Sequence, residues 1–108
     1  MGGLNKSILT GRLTADPVVR YTKEEAAVTH FTLAINRAGT KSADFINCVA
    51  FGGIAKVCAE YLKKGRLVAV EGRLHTSSYV DKNGVKKTST EVIIANMQLL
   101  GSKKAVAA

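Results

Sequence analysis

The sequence predicts an all-β chain with a single helix, folded as a small five-stranded Greek-key barrel whose helix lies between the third and fourth strands. Three observations predict it. Segments of period-two alternation recur along the chain, only one stretch carries the apolar spacing of a helix, and an Asn-Gly turn joins the last two β segments into a long hairpin. The 108 residues suffice for one domain and are too few for a two-lobed enzyme with a cleft between lobes. Hydrophobic residues, at 46%, supply a core and exclude wholesale disorder.

Taken in order, Ser7–Leu13 (SILTGRL) is the first β segment, and Gly11 inside it suggests a bulge or bend. Asp16-Pro17 marks a turn, because proline lacks a donor and restricts the residue before it. Residues 28–36 alternate, with Phe31, Leu33 and Ile35 on one face and His30, Thr32 and Ala34 on the other. A basic, Gly-containing loop, 37–43, leads to the third strand, 44–51. There Ile46, Cys48 and Ala50 share a face of small apolar residues, whereas Phe45, Asn47, Val49 and Phe51 share the other. Two aromatics six positions apart stand roughly 20 Å apart at the usual strand rise, which suits a stacking platform or a second buried face.

Residues 54–64 form the helix. Ile54, Val57, Cys58, Tyr61 and Leu62 make its apolar stripe, and Lys63-Lys64-Gly65 closes it. Residues 67–79 follow as a long strand, with Arg73, His75 and Tyr79 on one face. Asp81-Lys82-Asn83-Gly84 turns the chain, since Asn-Gly accepts the positive φ of a tight hairpin turn, and the fifth strand runs from 85 to 100. A ferredoxin-like fold needs two helices, and an SH3-like barrel lacks this helix; the element order therefore predicts a barrel of the OB type. Residues 1–101 form that domain, and 102–108 are expected to be a short flexible tail.

Composition narrows the function. Sixteen Lys and Arg against eight Asp and Glu give a net charge of +8, and the pI is near 9.8. Such a balance points to an anionic polymer, most often nucleic acid. No apolar run reaches the ~18–20 residues of a membrane span, and Met1-Gly2-Gly3 does not begin a secretory signal, so a cytoplasmic protein is expected. Cys48, Cys58, His30 and His75 lack the close pairing of zinc ligands, so no metal or other cofactor is expected, and the two thiols read as small buried hydrophobes. No nucleophile elbow, zinc-protease motif or phosphate loop occurs, which argues against an enzyme such as a nuclease.

Single strands are held by cations on phosphates and by aromatic faces on unpaired bases. Phe45, Phe51 and Tyr79 are the candidate stacking residues. The candidate phosphate and polar contacts are Lys6, Arg12, Lys64, Arg73, His75, Lys86 and Lys87. Phe31 and Tyr61 fit the apolar faces of their elements and read as core; His30 reads as a surface strand residue, and Tyr21 is assigned to neither class.

The residues also resemble a family. Gly11-Arg12-Leu13-Thr14-Ala15-Asp16-Pro17 with Val19-Arg20-Tyr21, then Phe31-Thr32-Leu33-Ala34, Glu60-Tyr61-Leu62-Lys63-Lys64-Gly65 and Val70-Glu71-Gly72-Arg73-Leu74 look like the ordered motifs of bacterial single-stranded DNA-binding proteins, over residues 4–101. The resemblance implies an OB fold, a homotetramer and sequence-tolerant wrapping of single-stranded DNA, without catalysis, in replication, recombination and repair. It carries the family's stacking aromatics onto Phe45, Phe51 and Tyr79, and its basic contacts onto Lys6 and Lys64. The chain departs from the pattern in lacking Trp, in Asn36-Arg37-Ala38-Gly39, where some relatives have an aromatic, and in Gly53, Ser77 and Ser78, where basic residues are common. Residues 102–108 (SKKAVAA) are basic and small, where replication-type members carry a linker and an acidic tip that recruits replication and repair proteins. Either the full-length protein continues, or this is a tailless relative: a DNA-uptake paralogue or a primosome-type accessory protein that docks a partner.

Overall fold

The alternating segments pair into one sheet that closes on itself. The computed structural model describes residues 2–101, so the expected tail at 102–108 lies outside the described residues. The elements are β1 (Ser7–Leu13), β2 (Val18–Tyr21), β3 (Ala27–Asn36), β4 (Ala43–Phe51), α1 (Gly52–Tyr61), β5 (Leu67–Val80) and β6 (Lys86–Leu99). The sheet order is β1-β5-β6-β4-β3-β2, and β1 pairs with β3 as well, so β1, β5, β6, β4 and β3 form a closed five-stranded ring. The helix joins β4 to β5, in agreement with the predicted OB-type order.

β2 is an addition to that expectation. It pairs with β3 outside the ring, from Val18↔His30 to Tyr21↔Ala27. Four residues are too few to display a period, and Pro17 is compatible with the start of a strand at the sheet edge.

Ring closure depends on two glycines. Along Ser7–Arg12, β1 pairs with β5 in unbroken register, so Gly11 is not a bulge. Instead, at Arg12 and Leu13 the other edge of the strand pairs with Ala34 and Leu33 of β3. A Cβ on Gly11 would lie 2.6 Å from the Ala34 carbonyl oxygen. The bulge is in the β5–β6 ladder, where Glu71 opposes Asn96 but Gly72 opposes Ile94, leaving Ala95 as the extra residue. A Cβ on Gly72 would collide with the Ile93 carbonyl group.

Inside the ring lie Leu13, Phe31, Leu33, Cys48, Ala50, Val68, Val70, Val92 and Ile94, as the parity of each strand requires. Full burial of a Leu or Val side chain contributes about 1.5–3 kcal/mol. α1 caps the barrel with Ala55 and Cys58, and Leu62 just beyond it is also buried. The buried Thr29 hydroxyl donates to the Ala55 carbonyl at 2.7 Å and ties the helix to β3.

The helix corrects three expectations. It spans 52–61 rather than 54–64, starting at a Gly-Gly pair and ending where Leu62 drops into the core. Gly65 does not cap it but lies at φ 84° in the following turn, closed by Arg66 N–H donating to the Lys63 carbonyl. The buried stripe runs through Ala55, Cys58 and Leu62, with Ile54 packed at its side. Val57 and Tyr61 turn outward, and Tyr61 is 53% exposed rather than core.

Both thiols are buried, Cys48 in β4 and Cys58 in α1. Burial pushes Cys48 up to about 12, with Cys58 nearby adding to it, and burial pushes Cys58 up to about 11. A raised thiol pKa stabilises the fold fully below the unfolded value near 8.5 and loses that contribution as pH climbs toward 11–12. In native protein at pH 8, neither thiol should react with a thiol reagent on a timescale faster than unfolding, and chemical stability should fall steadily above about pH 9. Replacing Gly72 with Ala should cost roughly 3 kcal/mol, read as a lower urea midpoint.

Candidate nucleic-acid interface

The outer wall of β3, β4, β5 and β6 follows from register. Residues directly opposed in a ladder project from the same face, and residues two apart along a strand do so too. Phe45, Asn47, Val49 and Phe51 therefore share the outer face of β4 with Ala34, Thr32, His30 and Val28 of β3. Val49 pairs in parallel with Ile93 of β6, which carries the same face onto the last hairpin. There Ile93 opposes Arg73, Glu91 opposes His75, Ser89 opposes Ser77 and Lys87 opposes Tyr79.

One wall thus brings together Phe45, Phe51, Arg73, His75, Tyr79 and Lys87 of the predicted set. Within the chain this is not a second buried face: Phe45 is 66% exposed, Phe51 50% and Tyr79 51%. Val49, between the two phenylalanines, is buried and forms the floor of the wall. Thr32 Oγ1 donates to Asn47 Oδ1 at 3.0 Å, so the polar pair between the aromatics is held in place.

Apart from Arg12, the remaining predicted cations fall elsewhere. Lys86 opposes Val80 and projects from the reverse face of the hairpin. Lys6 precedes β1 and pairs with Glu71 at 3.1 Å, where it borders with Arg73 a depression of about 320 Å³. Lys64 lies in the turn after α1, where its backbone N–H donates to Asp16 Oδ1 at 2.9 Å. Arg12 donates from Nη1 to the Gly65 carbonyl at 2.9 Å.

Two rows across the sheet were not visible in the sequence. Arg12 opposes Ala34, which opposes Phe45. Likewise Arg20 of β2 opposes Val28, which opposes Phe51. Each phenylalanine therefore has an arginine two strands away on the same face, across a small apolar residue. Arg12 was a candidate for its charge alone; Arg20 was not, because the only signal for it is the pairing of β2. On the rim next to Phe45, Arg37 grips Asp44 through Nε and Nη2 at 2.9 and 2.8 Å, which braces the β3–β4 loop.

The hairpin tip is braced by a carboxylate. Asp81 Oδ1 accepts from the Val85 and Asn83 N–H groups, both at 2.9 Å, and Lys87 Nζ lies 3.5 Å from Oδ2. These bonds, the one from Val85 first, hold Asp81 below the usual carboxylate range. Among the described residues no group of three His, Cys, Asp or Glu side chains is placed to hold a metal ion.

A closed five-stranded barrel, capped by one helix and presenting half-exposed aromatics among cations on its outer wall, defines an OB-type module with an open face rather than a cleft. The chain belongs to the single-strand binding protein family, whose model matches residues 4–100. It is 47% identical over 105 residues to a single-stranded DNA-binding protein of Caldanaerobacter subterraneus subsp. tengcongensis, covering 93% of this chain and 70% of that one. A single-stranded DNA-binding protein of Bacillus cereus is 48% identical over 102 residues, covering 90% and 60%. The single-stranded DNA-binding protein A of Bacillus subtilis is 47% identical over 105 residues, covering 93% and 61%. The chain spans about 60–70% of the length of these relatives.

The lowered Asp81 pKa sets a pH window. Its bracing of the turn is complete above the ordinary carboxylate value of about 3.9 and is lost only as pH falls through the lower folded value. The amide proton shifts of Asn83 and Val85 should therefore stay constant from pH 7 down to about 4 and move only below it. In Asp81→Ala both amides should exchange with solvent faster at pH 7.

Proposed function

We propose that this chain binds single-stranded DNA without catalysis and with little regard to sequence, shielding exposed strands during replication, recombination and repair. The observation that carries the reading is the single wall on which Phe45, Phe51 and Tyr79 stand half-exposed among Arg73, His75 and Lys87. Base stacking on an aromatic is worth about 1–3 kcal/mol and tolerates any base, because every base has a flat face. Arg12 and Arg20, in register with the two phenylalanines, would take the phosphates beside the stacked bases; Lys6, Lys64, Lys86 and Lys87 would extend the path around the barrel. The names of the relatives support the same ligand.

The working unit in this reading is a homotetramer in a bacterial cytoplasm, associated with the nucleoid. In support, Ile8 is largely exposed on the outer face of β1, and along Ser7–Thr10 that strand pairs only with β5. No described helix is long and apolar enough to cross a membrane. Where the full-length protein carries an acidic tail, replication and repair proteins are its further partners.

Binding to oligo-dT should weaken by about 1–3 kcal/mol in Phe51→Ala and in Tyr79→Ala at fixed salt, with thermal midpoints unchanged. The logarithm of affinity should fall with log salt with a slope near −0.7 per phosphate neutralised. Unchanged affinity in both variants would remove the stacking assignment.

A further inference from the structure

The last hairpin leaves the barrel at one rung. Leu74 of β5 opposes Val92 of β6, and Val92 pairs with Cys48 of β4, so the β6 edge of the hairpin is held by a neighbouring strand. Beyond that rung, residues 75–91 pair only with each other, and every residue from Arg73 to Val80 is exposed. The radius of gyration of 15.2 Å exceeds the about 13 Å usual for 100 residues, as a projecting arm requires.

The other edge of the same rung is held by a side chain. The β1–β5 register, Ser7↔Gly72 and Ile8↔Glu71, would bring Asn5 opposite Leu74 if the ladder continued. The strand ends at Ser7, but the Asn5 amide supplies both bonds that a paired residue would exchange: Nδ2 donates to the Leu74 carbonyl at 2.9 Å, and Leu74 N–H donates to Oδ1 at 2.9 Å. Among the described residues, these are the side-chain bonds that join the arm's base to the barrel. They fall two residues past the bulge at Gly72, where the ladder is irregular and the direction of the arm is set.

We infer that Asn5 is a positioning residue for DNA binding: it clamps the base of the β5–β6 arm so that His75, Tyr79 and Lys87 stay in line with Phe45 and Phe51. Asn5 touches no DNA in this role; it acts through the direction of the arm. A side chain with one donor and one acceptor a fixed distance apart is needed, and Asn provides that at the reach of one methylene. The inference rests on the DNA-binding reading and adds to it a residue outside the wall.

A double-mutant cycle on oligo-dT binding at fixed salt tests it. Asn5→Ala should lose about fivefold in affinity, the equivalent of a typical net hydrogen bond. That loss should persist in a Phe51→Ala background and shrink to less than about twofold in a Tyr79→Ala background, because the clamp has then lost the stacking face it aims. Asn5→Asp keeps the acceptor but sets a carboxylate oxygen against the Leu74 carbonyl, so it should bind no better than Asn5→Ala; wild-type affinity in Asn5→Asp would overturn the clamp. Equal losses in the Phe51→Ala and Tyr79→Ala backgrounds would mark a general structural effect and overturn the inference, as would no loss at all. Full affinity in Tyr79→Ala alone would overturn both the arm's part in binding and the clamp; loss in Tyr79→Ala with none in Asn5→Ala would overturn only the clamp.

Discussion

Two residues close this barrel. At Arg12 and Leu13, the edge of β1 away from β5 pairs with Ala34 and Leu33 of β3, and that short ladder turns an open sheet into a ring. The approach is possible because Gly11 has no side chain to meet the Ala34 carbonyl. Everything functional is downstream of closure. The ring gives each strand a definite inside, and the strand period then assigns the rest to an outside that can be used. Arg12 enters the outer face in the same step, in register with Phe45.

A second backbone approach, at Gly72, does for the arm what Gly11 does for the ring. The bulge it permits lets β5 and β6 continue past the core as a two-stranded ribbon. Isolated ribbons are marginal in water. This one is held at its base by β4 and Asn5 and at its tip by the Asp81 carboxylate. The result is a stiff wall at β3–β4 and a projecting arm at β5–β6, with aromatics on each. A flexible polyanion suits such a surface, since it can follow a curved path that a rigid ligand could not.

Much of the site was legible in the residues. The parity of β4 separates Cys48 and Ala50 from Phe45 and Phe51, because a strand's period is two and a slip of one would reverse every side chain. Tyr79 followed from the parity of β5, on the side of Arg73 and His75. The helix was less legible. Its sequence offers apolar residues on more than one flank, and the bond from Thr29 to Ala55 together with the burial of Leu62 decides which flank faces inward, leaving Tyr61 in solvent. β2 was missed for want of length, and Arg20 with it.

By itself, then, the sequence determined the kind and order of the long elements and the two faces of β3, β4 and β5, since these depend on local periodicity and turn chemistry. Its charge of +8 also points to an anionic partner. Only the tertiary structure decided which cations belong to which aromatics. Lys86 and Lys87 looked equivalent in the chain, yet Lys87 shares the face of Tyr79 and Lys86 projects from the reverse face of the hairpin. Lateral position depends on the register between strands far apart in sequence, and that register is set by closure and by one bulge, neither of which leaves a periodic signal.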